Sequence, residues 1–354
     1  MKTKPMTKFA ILALSLVLVA CAGGGSEEAG CPAIDGREIN VVATTPMIGE
    51  FVSQVGGENI NLTVLMPPEA NPHTYEPAPQ DAGTIAEADL VFYTGLLYEP
   101  AALVKLLENS ACSTDILSEV GESVFPIEFK EGGHDDHDDH DDHDDHDDHD
   151  DEEGHDDEEG HDDHDDEEGH DDHEGHNHGA YDPHFWFDPS RVAYAAEYIE
   201  SRLIQFDPEN ESSYKSSADS FVSELNDLTK QVSELISTVP SQNRKLITTH
   251  ESLGYLEAKF GLEVLSTIIP SLNSANEISP SDLAGVIDVI EDNNVKVIFI
   301  ESEAPSVYSE TIVAETGIKP VTGLYVETLK PGQSYSEFLI SNVKLITENL
   351  QDTD

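Results

Sequence analysis

Two rhythms of apolar residues alternate along this chain. Short runs rich in Ile, Val and Leu occupy 39–44, 60–66 and 90–94, each leading into sequence with apolar residues at helical spacing, and a further run lies at 123–129. The same alternation returns at 245–249, 263–269, 295–301 and 319–326. A near-continuous apolar run of this length suits a strand buried on both faces, and the intervening amphipathic helices supply the cover. The pattern predicts an α/β fold of two lobes with mainly parallel sheets. Between the halves, 208–239 places Tyr214, Phe221, Leu225, Leu228, Val232, Leu235 and Ile236 at helical spacing, with no Gly and no Pro after its first residue. As one helix it would be about 45 Å long at roughly 1.5 Å per residue. It is expected either to join the lobes rigidly or to be a surface helix of one of them.

The N-terminus follows a different pattern. Lys2, Lys4 and Lys8 precede an apolar stretch at 9–20 that stops at Cys21. Its 12 residues are too few for a membrane-spanning helix, which takes about 20. Residues 1–20 therefore predict a lipoprotein signal peptide outside the fold, an uncleaved anchor helix being the alternative. The tetrapeptide Leu18-Val19-Ala20-Cys21 resembles a bacterial lipobox, which makes Cys21 the expected lipidated residue. Residues 21–37 begin with small and polar side chains and read as a flexible tether. Export would place the chain where disulfides persist, so Cys31 and Cys112 form a candidate pair; two unpaired thiols are the alternative. The remaining expected boundaries are an N-terminal lobe at 38–189, a linking helical region at 190–240 and a C-terminal lobe at 241–354.

Composition changes this picture in one place. The interval 134–178 repeats His-Asp-Asp and Glu-Glu-Gly-His units and holds 27 of the 73 acidic residues. It also holds 13 of the 16 histidines: His134, His137, His140, His143, His146, His149, His155, His161, His164, His170, His173, His176 and His178. With no apolar side chain it cannot build a core, and it is predicted to be a disordered metal-binding insertion in the first lobe. Imidazoles every third residue among carboxylates suit many weak, exchangeable cation sites. The expected role is to raise the local metal concentration, with a protective sink or low-complexity drift as alternatives. The formal net charge of −56 still leaves about 29 excess negatives outside the tract. That balance argues against nucleic acid and anionic lipid headgroups as partners and is permissive for a cation.

The chemistry turns on the three histidines outside the tract, His73, His184 and His250. Each lies where an expected strand or loop ends in a polar or Pro-rich turn. In open α/β sheets ligands collect outside the carboxyl ends of the strands, so the three are placed to converge. One loop histidine is more often a hydrogen-bonding group than a ligand; three at such positions point to a metal. Neutral imidazole suits zinc in four-coordinate sites of N and O ligands. The fourth ligand is then a carboxylate, with Glu251, Glu301, Glu303 and Glu327 as candidates, or water. Glu251 adjoins His250 at a helix start, where neighbouring side chains diverge. A zinc-protease helix would need a second His four residues after His250, and that position is Gly254.

Three segments carry a resemblance. They are Pro-His-x-Tyr-Glu-Pro-x-Pro at 72–79, Asp-Pro-His-x-Trp-x-Asp-Pro at 182–189, and Thr-His-Glu-Ser-Leu-Gly-Tyr-Leu-Glu-Ala-Lys-Phe-Gly-Leu at 249–262. In this order they resemble the metal-specific solute-binding proteins of ABC transporters, most nearly the zinc-type, ZnuA-like members of cluster A-I (solute-binding protein family 9). The resemblance implies two lobes joined by a long rigid helix, with the ion in the cleft between them. It implies His73 and His184 as ligands from the first lobe, and His250 and Glu327 from the second. Manganese-type relatives place a Glu at the position of His250, so the third imidazole favours Zn2+ over Mn2+ as the transported ligand. Two departures from the family stand: Asp is usual where this chain has Glu327, and some zinc members draw a carboxylate from the first loop. A His-rich loop is typical of the zinc-type members. The implied partners are a membrane permease and an ATPase, and the implied form is a monomer held by an N-terminal lipid on the outer face of the cytoplasmic membrane or in the periplasm. No enzymatic activity is expected. The alternatives are a manganese-specific relative, a lipid-anchored zinc hydrolase, and a metal-store lipoprotein or adhesin acting in cell adhesion.

Overall fold

The computed structural model describes residues 31, 34, 36–129, 181–303 and 307–351. The signal segment, Cys21 and the His/Asp tract lie outside the described residues. In the first lobe, β1 (Ile39–Ala43), β2 (Ile60–Val64), β3 (Leu90–Tyr93) and β4 (Leu117–Glu119) form one parallel sheet in the order β2-β1-β3-β4. In the second lobe, β5 (Lys245–His250) pairs in parallel with β6 (Glu263–Ile269), and β7 (Val297–Glu301) with β8 (Lys319–Leu324). β5 and β7 lie side by side, and the Glu301 N–H donates to Thr249 Oγ1 at 3.0 Å. Both lobes thus repeat one spatial order, with the second strand on one side of the first and the third on the other. That reversal opens a crevice at the carboxyl ends of β1 and β3, and of β5 and β7.

Helices α1 (Pro46–Gly56), α2 (Pro79–Ala86) and α3 (Ala101–Ser110) cover the first sheet. Helices α6 (Gly254–Phe260), α7 (Pro280–Asn293), α8 (Val307–Thr316) and α9 (Tyr335–Gln351) belong to the second lobe, after α4 (Pro189–Phe206) and α5 (Glu211–Ser237). The starts of α1 and α4 are written locally. Thr45 caps α1 by accepting from the Ile48 N–H, Asp188 caps α4 by accepting from the Ser190 N–H, and each cap precedes a Pro at the first helical position.

The 27 residues of α5 make a helix of about 40 Å. It is shorter than the sequence pattern suggests because Pro208–Asn210 forms a separate 3-10 turn. Its buried stripe is Tyr214, Ala218, Phe221, Leu225, Leu228, Val232 and Ile236, at steps of three and four residues. The stripe packs on α1 of the first lobe, on the adjoining helix α4 and on α9 of the second lobe. One apolar cluster therefore runs from Ile39 and Phe51 through Phe221 and Leu228 to Leu339 and Ile346. Sliding the lobes apart would break a shared core.

The run at 123–129 is not a strand, which corrects the sequence reading. Phe125 adopts a left-handed φ of 54° and Pro126 lacks an N–H, so no ladder can form; only Glu128 bridges, to Tyr181. The edge strand is β4 instead. A disulfide joins Cys31 to Cys112, with the Cα atoms 5.0 Å apart, and ties the chain ahead of β1 to the residue pair following α3.

Candidate metal centre

Each of the four ligand candidates is positioned by its local sequence. His73 sits in the 3-10 turn Pro72–Thr74, where its N–H donates to Asn71 Oδ1 at 2.9 Å. The Asn71 amide reaches the other lobe, donating to Ser274 Oγ at 3.0 Å and to the Glu303 carbonyl at 3.2 Å. His184 follows Asp182-Pro183, and Asp182 Oδ1 accepts its backbone N–H and meets its ring Nδ1, each at 2.8 Å. His250 is the last residue of β5. Glu327 stands three residues beyond β8, and the N–H groups of Val326 and Glu327 donate to Glu303 Oε1 at 3.2 and 3.3 Å.

These elements bring His73, His184, His250 and Glu327 together. One donor atom from each residue lies within 4.8 Å of the others. Glu327 Oε1 is 3.1 Å from His73 Nε2 and 3.0 Å from His250 Nε2, while Oε2 is 3.5 Å from His184 Nε2. Ligand atoms on a tetrahedron with bonds near 2.0 Å stand about 3.3 Å apart, so the spacing fits one ion. The side chains of His184, His250 and Glu327 are fully buried and that of His73 nearly so. Glu327 is the sole neighbour that His184 Nε2 and His250 Nε2 have for a polar contact, at 3.5 and 3.0 Å. The two nitrogens converge on one carboxylate and so are aimed at a common centre.

The far nitrogens explain that aim. His184 Nδ1 faces Asp182 and His250 Nδ1 faces Glu301, and a ring N–H held by a carboxylate leaves Nε2 as the lone-pair face. Burial opposes the imidazolium form of His184, but Asp182 and then Glu327 outweigh it and raise its pKa. His250 is raised well above its ordinary value, the charges of Glu301 and Glu327 overcoming burial. Burial works against ionised Glu327, yet His73 and His250 hold it well below the usual carboxylate range. With protons, the cluster is a set of buried ion pairs; without them, it is three lone pairs and an anion facing one point.

The other carboxylates weighed as ligands do different work. Glu301 orients His250, and Glu251 accepts from Thr267 Oγ1 at 3.0 Å outside the cluster. Glu303 holds the backbone of Val326 and Glu327; burial, then the charges of Glu327 and Glu301, push its pKa up to about 8. Sequence reasoning did not assign the supporting roles of Asp182, Glu301 and Tyr98. Only Asp182 carries a local signal, since an Asp two residues ahead of a His can accept its N–H in a tight turn.

The family described as zinc-uptake complex component A, periplasmic, matches residues 41–349. The chain belongs to that family. Over 352 residues it is 27% identical to the high-affinity zinc uptake system protein ZnuA of Bacillus subtilis, covering 97% of this chain and 96% of that protein. It is 25% identical over 357 residues to the manganese ABC transporter substrate-binding lipoprotein PsaA of Streptococcus anginosus, covering 98% and 99%. The fold matches the periplasmic zinc-binding protein TroA of Treponema pallidum with a TM-score of 0.69 at 20% identity, over 88% of this chain and 99% of that one. As a family member the chain is the substrate-binding component of a metal ABC transporter, not an enzyme, and a membrane permease and an ATPase are its partners. Among the described residues, no helix is long and apolar enough to cross a membrane.

Proposed function

We propose that this protein captures Zn2+ outside the cytoplasmic membrane, as a monomer anchored through lipidated Cys21, and delivers it to an ABC importer. The ion is held by Nε2 of His73, His184 and His250 and by a carboxylate oxygen of Glu327. The observation that carries the reading is the convergence of these four donors within 4.8 Å, together with two buried imidazole nitrogens that have no other partner. Three imidazoles and one carboxylate form a nitrogen-rich set of the kind zinc takes in four-coordinate sites, whereas manganese favours more oxygen.

The two halves of the ligand set support capture between lobes 38–189 and 241–354. His73 and His184 stand on the first side of the α4–α5 region, and His250 and Glu327 on the second. The tract at 134–178 supplies additional weak, exchangeable sites.

A second reading, manganese transport, is favoured by relatives such as the S. anginosus lipoprotein, whose name specifies manganese. Competition dialysis of zinc against manganese decides between them. The proposed function requires that equimolar manganese leave bound zinc in place; displacement of zinc by manganese would establish the second reading.

A further inference from the structure

The loop after β3 has a backbone seldom taken by residues with a Cβ: Gly95, Leu96 and Leu97 are all left-handed, with φ of 77°, 53° and 61°. It persists because carboxylates capture the amides that this conformation turns inward. The N–H groups of Thr94 and Gly95 donate to Glu99 at 2.6 and 2.9 Å, and that of Leu96 to Glu119 Oε1 at 2.9 Å. Glu99 also accepts from the Thr44 hydroxyl at 2.7 Å, tying the loop to the end of β1. A Cβ at position 95 would displace the Glu119 side chain that accepts from the Leu96 N–H, and the φ of 77° itself favours Gly.

This loop delivers Tyr98 to the metal centre. Its ring packs edge-on against His73, His184 and Trp186, with centroids 5.1, 5.9 and 5.3 Å away. Its hydroxyl lies 3.0 Å from Glu327 Oε2 and 3.0 Å from the carbonyl of the same residue. The two oxygens of Glu327 differ in partners: Oε1 faces the imidazoles of His73 and His250, while Oε2 accepts a hydrogen bond from the Tyr98 hydroxyl at 3.0 Å and stands farther, 3.5 Å, from His184 Nε2.

We infer that Tyr98 is a specificity-determining residue that keeps Glu327 monodentate and so holds the centre to four ligands. The inference rests on the zinc reading above. A carboxylate bound through one oxygen completes a three-nitrogen, one-oxygen set; bound through both, it adds an oxygen, as harder cations prefer. Removing the hydroxyl frees Oε2 to turn onto the ion.

The test compares the full chain with its Tyr98→Phe variant, which keeps the ring packing. Zinc and manganese affinities are measured by chelator competition, and the zinc environment by X-ray absorption at substoichiometric zinc. The expected result is a loss of zinc affinity of about 10-fold, manganese affinity held or raised, and five light-atom ligands instead of four. Equal changes for both metals, no change for either, or a retained set of four ligands overturns the inference. A wild-type chain without tight zinc, seen before the variant is compared, overturns the zinc reading and this inference together.

Discussion

His250 turns Nδ1 onto the buried carboxylate of Glu301, and in doing so presents Nε2 to Glu327 Oε1, 3.0 Å away. The contact joins the ends of β5 and β7, which lie side by side in the second lobe, each in its own two-stranded sheet. Glu301→Gln keeps the size of the side chain and removes its charge. Zinc affinity should fall by about 10- to 100-fold, as for other carboxylates that support a metal-bound imidazole. Isothermal titration checks it, and an unchanged affinity would mean that Glu301 serves packing alone.

The centre should couple stability to pH in opposite senses with and without metal. Protonated His250, raised above its ordinary 6.5, stabilises the metal-free fold fully below pH 6.5, and this is lost as pH rises through its folded value. Ionised Glu327, held below its ordinary 4.5, stabilises above pH 4.5 and loses this as pH falls through its folded value. Metal requires neutral imidazoles and gains as protons leave. The Tm difference between zinc-loaded and metal-free protein should therefore widen as pH is raised from 6.5 through the raised pKa of His250. A gap that stays constant or narrows contradicts this account.

Much of this was legible in the chain, for reasons that can be stated residue by residue. The strand runs were readable because parallel strands are buried on both faces, and 263–269 coincides with β6. The three histidines stood out because each ends a local pattern. What stayed hidden depends on contacts far apart in sequence. Tyr98 meets Glu327 across 229 positions, and Glu301 reaches His250 across 51. β4 was missed because Leu117–Glu119 is too short to show a pattern, while the apolar run after it is broken by Phe125 and Pro126.

Trp186, the one tryptophan of the chain, lies 5.5 Å from His184 and 5.3 Å from Tyr98 between ring centroids. Its indole N–H donates to the Val326 carbonyl at 2.8 Å, next to Glu327. Intrinsic tryptophan fluorescence should therefore change on zinc addition and saturate at one equivalent. The His184→Ala variant should lose the response. A signal that keeps growing beyond one equivalent would report the tract instead.

The disulfide lies at the amino edge of the first sheet, ahead of β1 and after α3, opposite the carboxyl edge that carries the centre. Closing a loop of 81 positions stabilises by about 4 kcal/mol in the chain-entropy account. Cys31→Ser with Cys112→Ser should lower the denaturant-derived stability by roughly that amount and leave zinc stoichiometry unchanged. Loss of tight binding in that variant would show that the centre needs the staple.

One tight zinc site, built from His73, His184, His250 and Glu327, should bind independently of the histidine tract. Metal analysis after zinc titration of a variant lacking residues 134–178 separates the two. The expected result is one tight zinc equivalent, absent when His250→Ala is added. No tight equivalent in the tract-deleted protein, or one that survives His250→Ala, would contradict it.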